Sequence, residues 1–379
     1  MINLCMAELG TNQNKKGFRI MPTKSEIQTE IISKEYFLPQ FTHQSIKVKD
    51  FNEHEFELCD CLIEIGSIYI TIQIKERDES GTSTDYSWFD KKVLKVAKKQ
   101  IFDTFNFIKN SNEYKFYNNG QEMNIDSEKE IIPIIVFDNK NLKSYKKIVY
   151  SSKLNKYINI FNIEDFKTML DSIIIPYDIL NYCNYRLKLF YTGPLKRVLI
   201  DHVDDYATLI GKPTTESELA EFYIVRTYYQ HNIEPEYIKF FNVILNILKD
   251  ESTKELIMQL LQSDIITANI FVDNWTSVVK YWISVKHFKP HPFTFKTINN
   301  LILLIPKPLD VDMELFNNYY IGTIVYNSNK YDCKYVHSLI FSKEYDDNYS
   351  VSYQSIDTRE IINYDEILKN SKEVFENLK

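Results

Sequence analysis

Asp60, Gln73 and Lys75 bring a carboxylate, an amide oxygen and an ammonium group into one short stretch of the chain. In a strand over Ile70–Arg77 side chains alternate between two faces. Gln73 and Lys75 then project together with Thr71 and Arg77, while Ile70, Ile72 and Ile74 pack inward. An antiparallel neighbour carrying Asp60 would set its carboxylate beside Gln73. Oxygen ligands of this kind suit a hard divalent cation such as Mg2+ or Mn2+. Such an ion neutralises a phosphate and acidifies a water, and a nearby lysine stabilises the charge that develops in a phosphodiester transition state. On this reading Asp60 is the main ligand, Gln73 a neutral one, and Lys75 the cation that positions water. Glu30, or Glu26 one turn away, would complete the oxygen cluster. The competing reading makes Lys75-Glu76-Arg77-Asp78 an ordinary solvated strand exit.

The elements needed to hold these groups are visible as periodicities. Ile27, Ile31, Ile32, Tyr36 and Phe37 fall at helical spacing after a Pro-Thr start signal, which predicts a helix over Ser25–Phe37. An extended piece follows around Ser45–Asp50. Strands are predicted at Glu57–Ile65 and Ser67–Lys75, joined by a tight turn at Gly66-Ser67. Ser87–Lys109 reads as a helix whose stripe is Val93, Val96, Ala97, Ile101, Phe105 and Ile108. Ile131–Phe137 is a continuous apolar run, as in a strand buried on both faces. A strand at Tyr157–Phe161 leads through Asn162 into a helix, and a further helix covers Tyr177–Phe190. This order predicts an α/β sandwich: a mixed sheet flanked by helices.

Asp60 followed by Gln73-Ile74-Lys75 on the next strand, behind a helix bearing Glu30, resembles the PD-(D/E)XK nuclease superfamily. The nearest likeness is its Mrr-like branch, in which the middle acid is often glutamine. Glu57-Leu58-Cys59-Asp60, Trp88 followed by Lys92 and Gln100, and Leu170-Asp171 leading to Asp178 and Tyr182 extend the resemblance over residues 20–190. It implies a restriction-endonuclease-like αβββαβ core and catalytic residues Glu30, Asp60, Gln73 and Lys75. It also implies a Mg2+ or Mn2+ ion on Asp60, Gln73 and Glu30, and endonuclease action on DNA in bacterial restriction or antiphage defence. Nucleic-acid contacts are expected at Lys92, Lys99 and Gln100, whereas Lys91, Lys95 and Lys98 read as a solvated face. Because glutamine replaces an acid, the alternative is a catalytically inactive scaffold that binds nucleic acid or a protein partner.

Thr192-Gly193-Pro194 reads as a linker, dividing a nuclease-like domain at 1–192 from a mainly helical α+β region at 193–379. In that second part Glu216–His287 reads as several helices, Asn318–Tyr326 with Tyr335–Ser342 as a hairpin, and Tyr364–Leu378 as a closing helix. Trp275 and Trp282, with Tyr281, read as its core. It is expected to choose a target or partner, to form a homodimer, or to act as a sensor or assembly module. His202 among Asp201, Asp204 and Asp205 is the rival metal site, and an exposed turn is the better reading.

Composition narrows the function classes. The net charge of −7 argues against a protein that coats nucleic acid but leaves room for a local basic face. One such face would run from Lys140 to Lys156, where Asn and Ser neighbours fit a mobile loop equally well. The five cysteines form no C-x-x-C pair and fit a reducing cytoplasm. Cys59 and Cys61 are expected to pack, facing away from Asp60. No signal-peptide pattern opens the chain and no apolar run has membrane-spanning length, so a cytoplasmic protein without membrane contact is expected.

Overall fold

The computed structural model describes residues 22–77, 84–142, 146–190, 215–284, 293–296, 300–307, 311–343 and 349–377. Helix α1 (Lys24–Phe37) starts at a capping box in which Thr23 and Glu26 satisfy each other's backbone N–H. Strands β1 (Thr42–Gln44), β2 (Lys47–Lys49), β3 (Glu55–Glu57), β4 (Cys61–Ile65) and β5 (Ile68–Glu76) follow. A long helical segment is built from α2 (Asp85–Trp88), a π-helical stretch Phe89–Ala97 and α3 (Lys98–Lys109). Then come β6 (Lys115–Asn118), β7 (Gln121–Met123), β8 (Glu130–Asp138), β9 (Ile148–Ser151), β10 (Lys156–Asn162), α4 (Ile163–Ser172) and α5 (Asp178–Phe190).

These strands form two sheets. The larger has the order β1-β4-β5-β8-β10-β9, with β5, β8 and β10 parallel and β1, β4 and β9 antiparallel to their neighbours. The smaller has the order β3-β2-β6-β7 and is antiparallel throughout. On the large sheet, Ile70, Ile72 and Ile74 pack toward α1 and α4, while Tyr69, Ile131 and Ile135 pack toward the Phe89–Lys109 segment. The α/β architecture with a mixed sheet is therefore present. β8 shows the unbroken burial expected of a two-sided strand, and its pairing with β10 begins at Ile134, just after Pro133, so the residue lacking an N–H precedes the doubly paired part.

Gly66 takes φ +53 in the β4–β5 turn, the left-handed region that favours glycine, and its N–H lies 2.9 Å from the Met258 Sδ. The core continues past residue 190 through α6 (Glu216–Thr227), α7 (Pro235–Ile238), α8 (Phe240–Ile247), α9 (Lys254–Leu261) and α10 (Ile265–Ser284). It reaches a third sheet, β11 (Phe293–Lys296), β12 (Asn300–Lys307), β13 (Tyr335–Lys343) and β14 (Tyr349–Asp357), in that order. Ile302 and Leu304 face α10, where Trp275 meets Phe341 at 4.8 Å, and Leu301, Leu303 and Ile305 face α11 (Met313–Tyr331). Helix α12 (Tyr364–Asn377) packs on α11. The buried Trp275 agrees with a core role. The Trp282 and Tyr281 side chains, the Thr192-Gly193-Pro194 signal and His202 lie outside the described residues.

Several sequence expectations are corrected. The strand expected over Glu57–Ile65 is split: β3 belongs to the small sheet, and the chain bends at Asp60 before joining the large sheet as β4. Leu58 anchors the switch, its N–H donating to Ile46 O at 2.8 Å and its carbonyl accepting the Thr104 hydroxyl. The buried face of α1 is Ser25, Thr29, Ser33 and Phe37, whereas Ile27 and Ile31 are exposed. Small hydroxyl side chains let the helix sit close to the sheet. Its N-terminus is pinned by Ser25, which bonds through N–H to Glu76 and through Oγ to Asp138, at 2.8 and 3.0 Å.

Val96 is exposed, and the buried row is Phe89, Val93, Ala97, Ile101, Phe105 and Ile108. A row repeating every fourth residue overshoots an α-helical turn of about 3.6 residues, and the wider π-helical turns take up the excess. The hairpin expected to begin at Asn318–Tyr326 is instead part of α11, because packing on the third sheet overrides the strand preference of its β-branched residues. Tyr335–Ser342 is indeed a strand, and it pairs with β12 and β14.

Candidate functional site

The register Cys61↔Ile72 places the preceding residue, Asp60, level with Gln73. Because the chain is bending there, the Asp60 carboxylate turns back onto β5. Its Oδ2 accepts the Ile74 N–H at 2.5 Å and lies 3.6 Å from Lys75 Nζ. Lys75 in turn donates to Ile74 O at 2.6 Å, so the ammonium folds over the strand beside the carboxylate. Both side chains are mostly buried, at 15 % and 11 % exposure for Lys75 and Asp60. The attraction is thus less screened than at an open surface.

Gln73 is 3 % exposed, and its Oε1 has no hydrogen-bond partner among the described residues. Gln100 Oε1 on α3 is in the same condition. An amide oxygen buried without a partner costs about 1–3 kcal/mol, so two such atoms around one space call for a reason. Asp60, Gln73 and Gln100 all line a cavity of about 540 Å³. Glu57, Leu58 and Phe56 border it from β3 and the bend, and Lys99, Asp103, Asn106, Phe107 and Tyr114 border it from α3 and the turn beyond. Lys99 is paired with Asp103 at 2.7 Å.

The remaining sequence candidates are not gathered here. Glu30 sits on α1, across the sheet from this cavity, and is ion-paired with Lys34. It is near enough to Cys61 to help raise that thiol to about 12, although burial is the larger cause. Glu26 is occupied in the α1 capping box. Lys92 is exposed on the π-helical stretch and does not line the cavity. Lys147, in the expected basic face, is drawn into an interior cluster with Asp165 and Glu216.

Cys59 and Cys61 are buried free thiols, as expected of packing residues. The bend, however, sends them to opposite sides of the sheet, Cys59 toward α3 and Cys61 toward α1. Sequence reasoning missed Asp103 and Phe107, although their spacing of three and seven residues from Gln100 puts all three on one helical face. Phe56 was out of reach because nothing local reveals that β3 joins a different sheet.

No protein-family profile, no curated protein and no solved structure matches this chain. Among the described residues no helix is long and apolar enough to cross a membrane, and no three His, Cys, Asp or Glu side chains converge as a metal centre. The donors at the cavity are mixed instead: carboxylates from Asp60, Glu57 and Asp103, the last paired with Lys99, and amide oxygens from Gln73, Gln100 and Asn106. Magnesium characteristically keeps several waters and takes only one or two carboxylates from a protein. The Gln73 oxygen, without a partner among the described residues and level with Asp60, fits that requirement.

Proposed function

We propose that this protein hydrolyses phosphodiester bonds in nucleic acid, DNA in the first instance, at the cavity lined by Asp60 and Gln73, with Lys75 beside the Asp60 carboxylate. The observation that carries the reading is the Gln73 amide oxygen, buried without a partner among the described residues and in the same cavity as the Asp60 carboxylate. The strand order β1-β4-β5-β8, with antiparallel pairs first, a parallel pair last and a helix between β5 and β8, supports it. This order is compatible with the αβββαβ arrangement that the resemblance to PD-(D/E)XK nucleases implies; Asp60 precedes β4, and Gln73 and Lys75 lie on β5.

Asp60 and Gln73 would hold a Mg2+ or Mn2+ ion, which supplies charge neutralisation at the phosphate and an acidified water. Ile74 N–H fixes the Asp60 carboxylate in place, so little reorganisation is needed when a ligand binds. Lys75 holds its ammonium at the carboxylate and stabilises negative charge that builds on the reacting phosphate. Gln100, from the helix opposite, offers a further oxygen to the ion or a water. Glu30 takes no part, since Lys34 is its partner. A role in restriction or antiphage defence is what the resemblance implies.

A second reading, a nuclease-like scaffold without catalysis, is favoured by the neutral Gln73 and by the prior engagement of Asp60 with Ile74 and Lys75. The deciding assay incubates the full chain with plasmid, single-stranded DNA and RNA, with magnesium or manganese, beside Lys75→Ala and Asp60→Ala. Cleavage lost in both variants supports the site. Cleavage that persists in both would sink it, and cation-independent binding without turnover would establish the scaffold.

A further inference from the structure

Resting on that reading, we infer that the cavity takes an unpaired nucleotide, its base stacked on the Phe56 ring, so that the substrate is single-stranded nucleic acid or a frayed end. Phe56 closes a cross-strand row in the small sheet, where it pairs with Val48, which pairs in turn with Phe116. Partners in register project from the same side of a sheet. Val48 and Phe116 are buried at 0 % and 3 %, yet Phe56, on the edge strand, stays 41 % exposed. It is therefore at the edge of the row, over the cavity, that an aromatic ring keeps an uncovered surface. Phe107 lies 5.5 Å behind it at 35°, and Tyr114 packs edge-on to Phe107 at 5.1 Å. The three rings make a supported wall, and all three line the space that Asp60 and Gln73 also line.

Size and chemistry agree on the occupant. A cavity of about 540 Å³ is on the scale of a small-ligand site. In a duplex each base is covered above and below by its neighbours, so a base must be extruded or already unpaired to stack on protein. Stacking on an aromatic wall is tolerant of sequence, because every base has a π-face. Lys99 at the rim is 72 % exposed and can meet a phosphate, while the Asp60 and Gln73 oxygens lie deeper. A base against Phe56 would bring its own phosphate toward those oxygens.

The test uses the full chain and a single-stranded 12-mer carrying 2-aminopurine, whose fluorescence is quenched on stacking, with the same strand annealed as a blunt duplex. Binding is measured with calcium in the Lys75→Ala background, and cleavage with manganese in the otherwise unaltered protein. The expected results are quenching on the single strand, preference for it over the duplex, and a 5- to 100-fold weaker Kd in Phe56→Ala, about the loss of one base–aromatic stack. Phe56→Tyr should restore affinity, and Phe51→Ala, which removes an exposed ring outside the cavity, should leave it unchanged. Equal binding of duplex and single strand, or a Phe56→Ala variant that binds as tightly, overturns the inference. If cleavage still depends on Lys75 in that case, the nuclease reading stands without it. Absence of any binding or cleavage removes both.

Discussion

Two polar clusters border the large sheet, and they are finished to different degrees. In the first, on the α5 side, Arg186 and Glu216 are buried at 0 % and 1 %. The guanidinium forks onto both Glu216 oxygens at 2.6 and 2.9 Å and donates to Lys147 O, Asn159 Oδ1 and Ile160 O at 3.0–3.1 Å, so that every N–H has an acceptor. Glu216 also accepts from Tyr182 and Lys147, and the guanidinium lies 3.7 Å over the Phe161 ring. The second cluster surrounds Asp60 and leaves two amide oxygens without partners among the described residues. A satisfied buried network rigidifies a fold, whereas an incomplete one costs stability and is retained where something else binds. The Arg186 cluster clamps α6 against α5 and β10, while the Asp60 cluster is the place where chemistry is expected.

The contrast predicts opposite mutational behaviour. Glu216→Ala leaves Arg186 buried without its counter-charge and should cost about 3–5 kcal/mol in urea unfolding. Cleavage per folded molecule should stay unchanged, and a loss under about 1 kcal/mol would mean that water reaches the pair. Lys75→Ala should do the reverse, lowering the cleavage rate by about 10²–10³-fold, the usual effect of removing one transition-state donor. Its unfolding midpoint should fall less than that of Glu216→Ala, because Ile74 N–H still bonds the Asp60 carboxylate, and equal losses of activity and stability would erase the distinction between the clusters.

Gln73→Glu sharpens the comparison. A second carboxylate beside Asp60 should lower the unfolding free energy in EDTA and raise it with manganese, by about 2.7 kcal/mol at a hundredfold excess over Kd. A manganese response no larger than that of the parent would argue against a cation at this position.

The smallest effect expected is in pH dependence. Burial alone would raise the Glu216 carboxyl, but Arg186 and Lys147 outweigh it and hold the group below its ordinary 4.5. The stabilisation it provides is therefore present above 4.5 and is lost only as pH falls through the lower folded value. Asp178 behaves oppositely. Burial raises it above 3.8 despite hydrogen bonds from Asn181, Tyr223 and Tyr228. Its contribution is full below 3.8 and is lost as pH rises through the raised folded value. Acidification through the raised folded value of Asp178 should thus add to the urea midpoint, and Asp178→Asn should flatten that rise. An unchanged slope in the variant would assign the effect elsewhere.

Alternation along Ile70–Arg77 was enough to place Gln73 and Lys75 on one face and the isoleucines on the other, because a strand has only two faces. The unbroken apolar run of β8 likewise announced a strand covered on both sides, and the Asn162 cap marked the start of α4. The sequence also determined which groups have suitable chemistry, namely a carboxylate, two amides and an ammonium within reach of one turn-linked strand pair.

Tertiary structure decided which of them meet. The bend at Asp60 depends on Leu58 being held by Ile46 and Thr104, partners that local periodicity does not report. It moves Phe56 and Glu57 into another sheet and sends Cys59 and Cys61 to opposite cores. Helix α1 turned a hydroxyl face to the sheet, which left Glu30 with Lys34 rather than with Asp60. Arg186 and Glu216 lie far apart in sequence, and only their burial makes the attraction between them strong enough to fix α6 in place. Residue type and alternation are local properties and can be read along a chain. Partner choice depends on which side chains lose contact with water, and that is settled only when the sheets and helices close on one another.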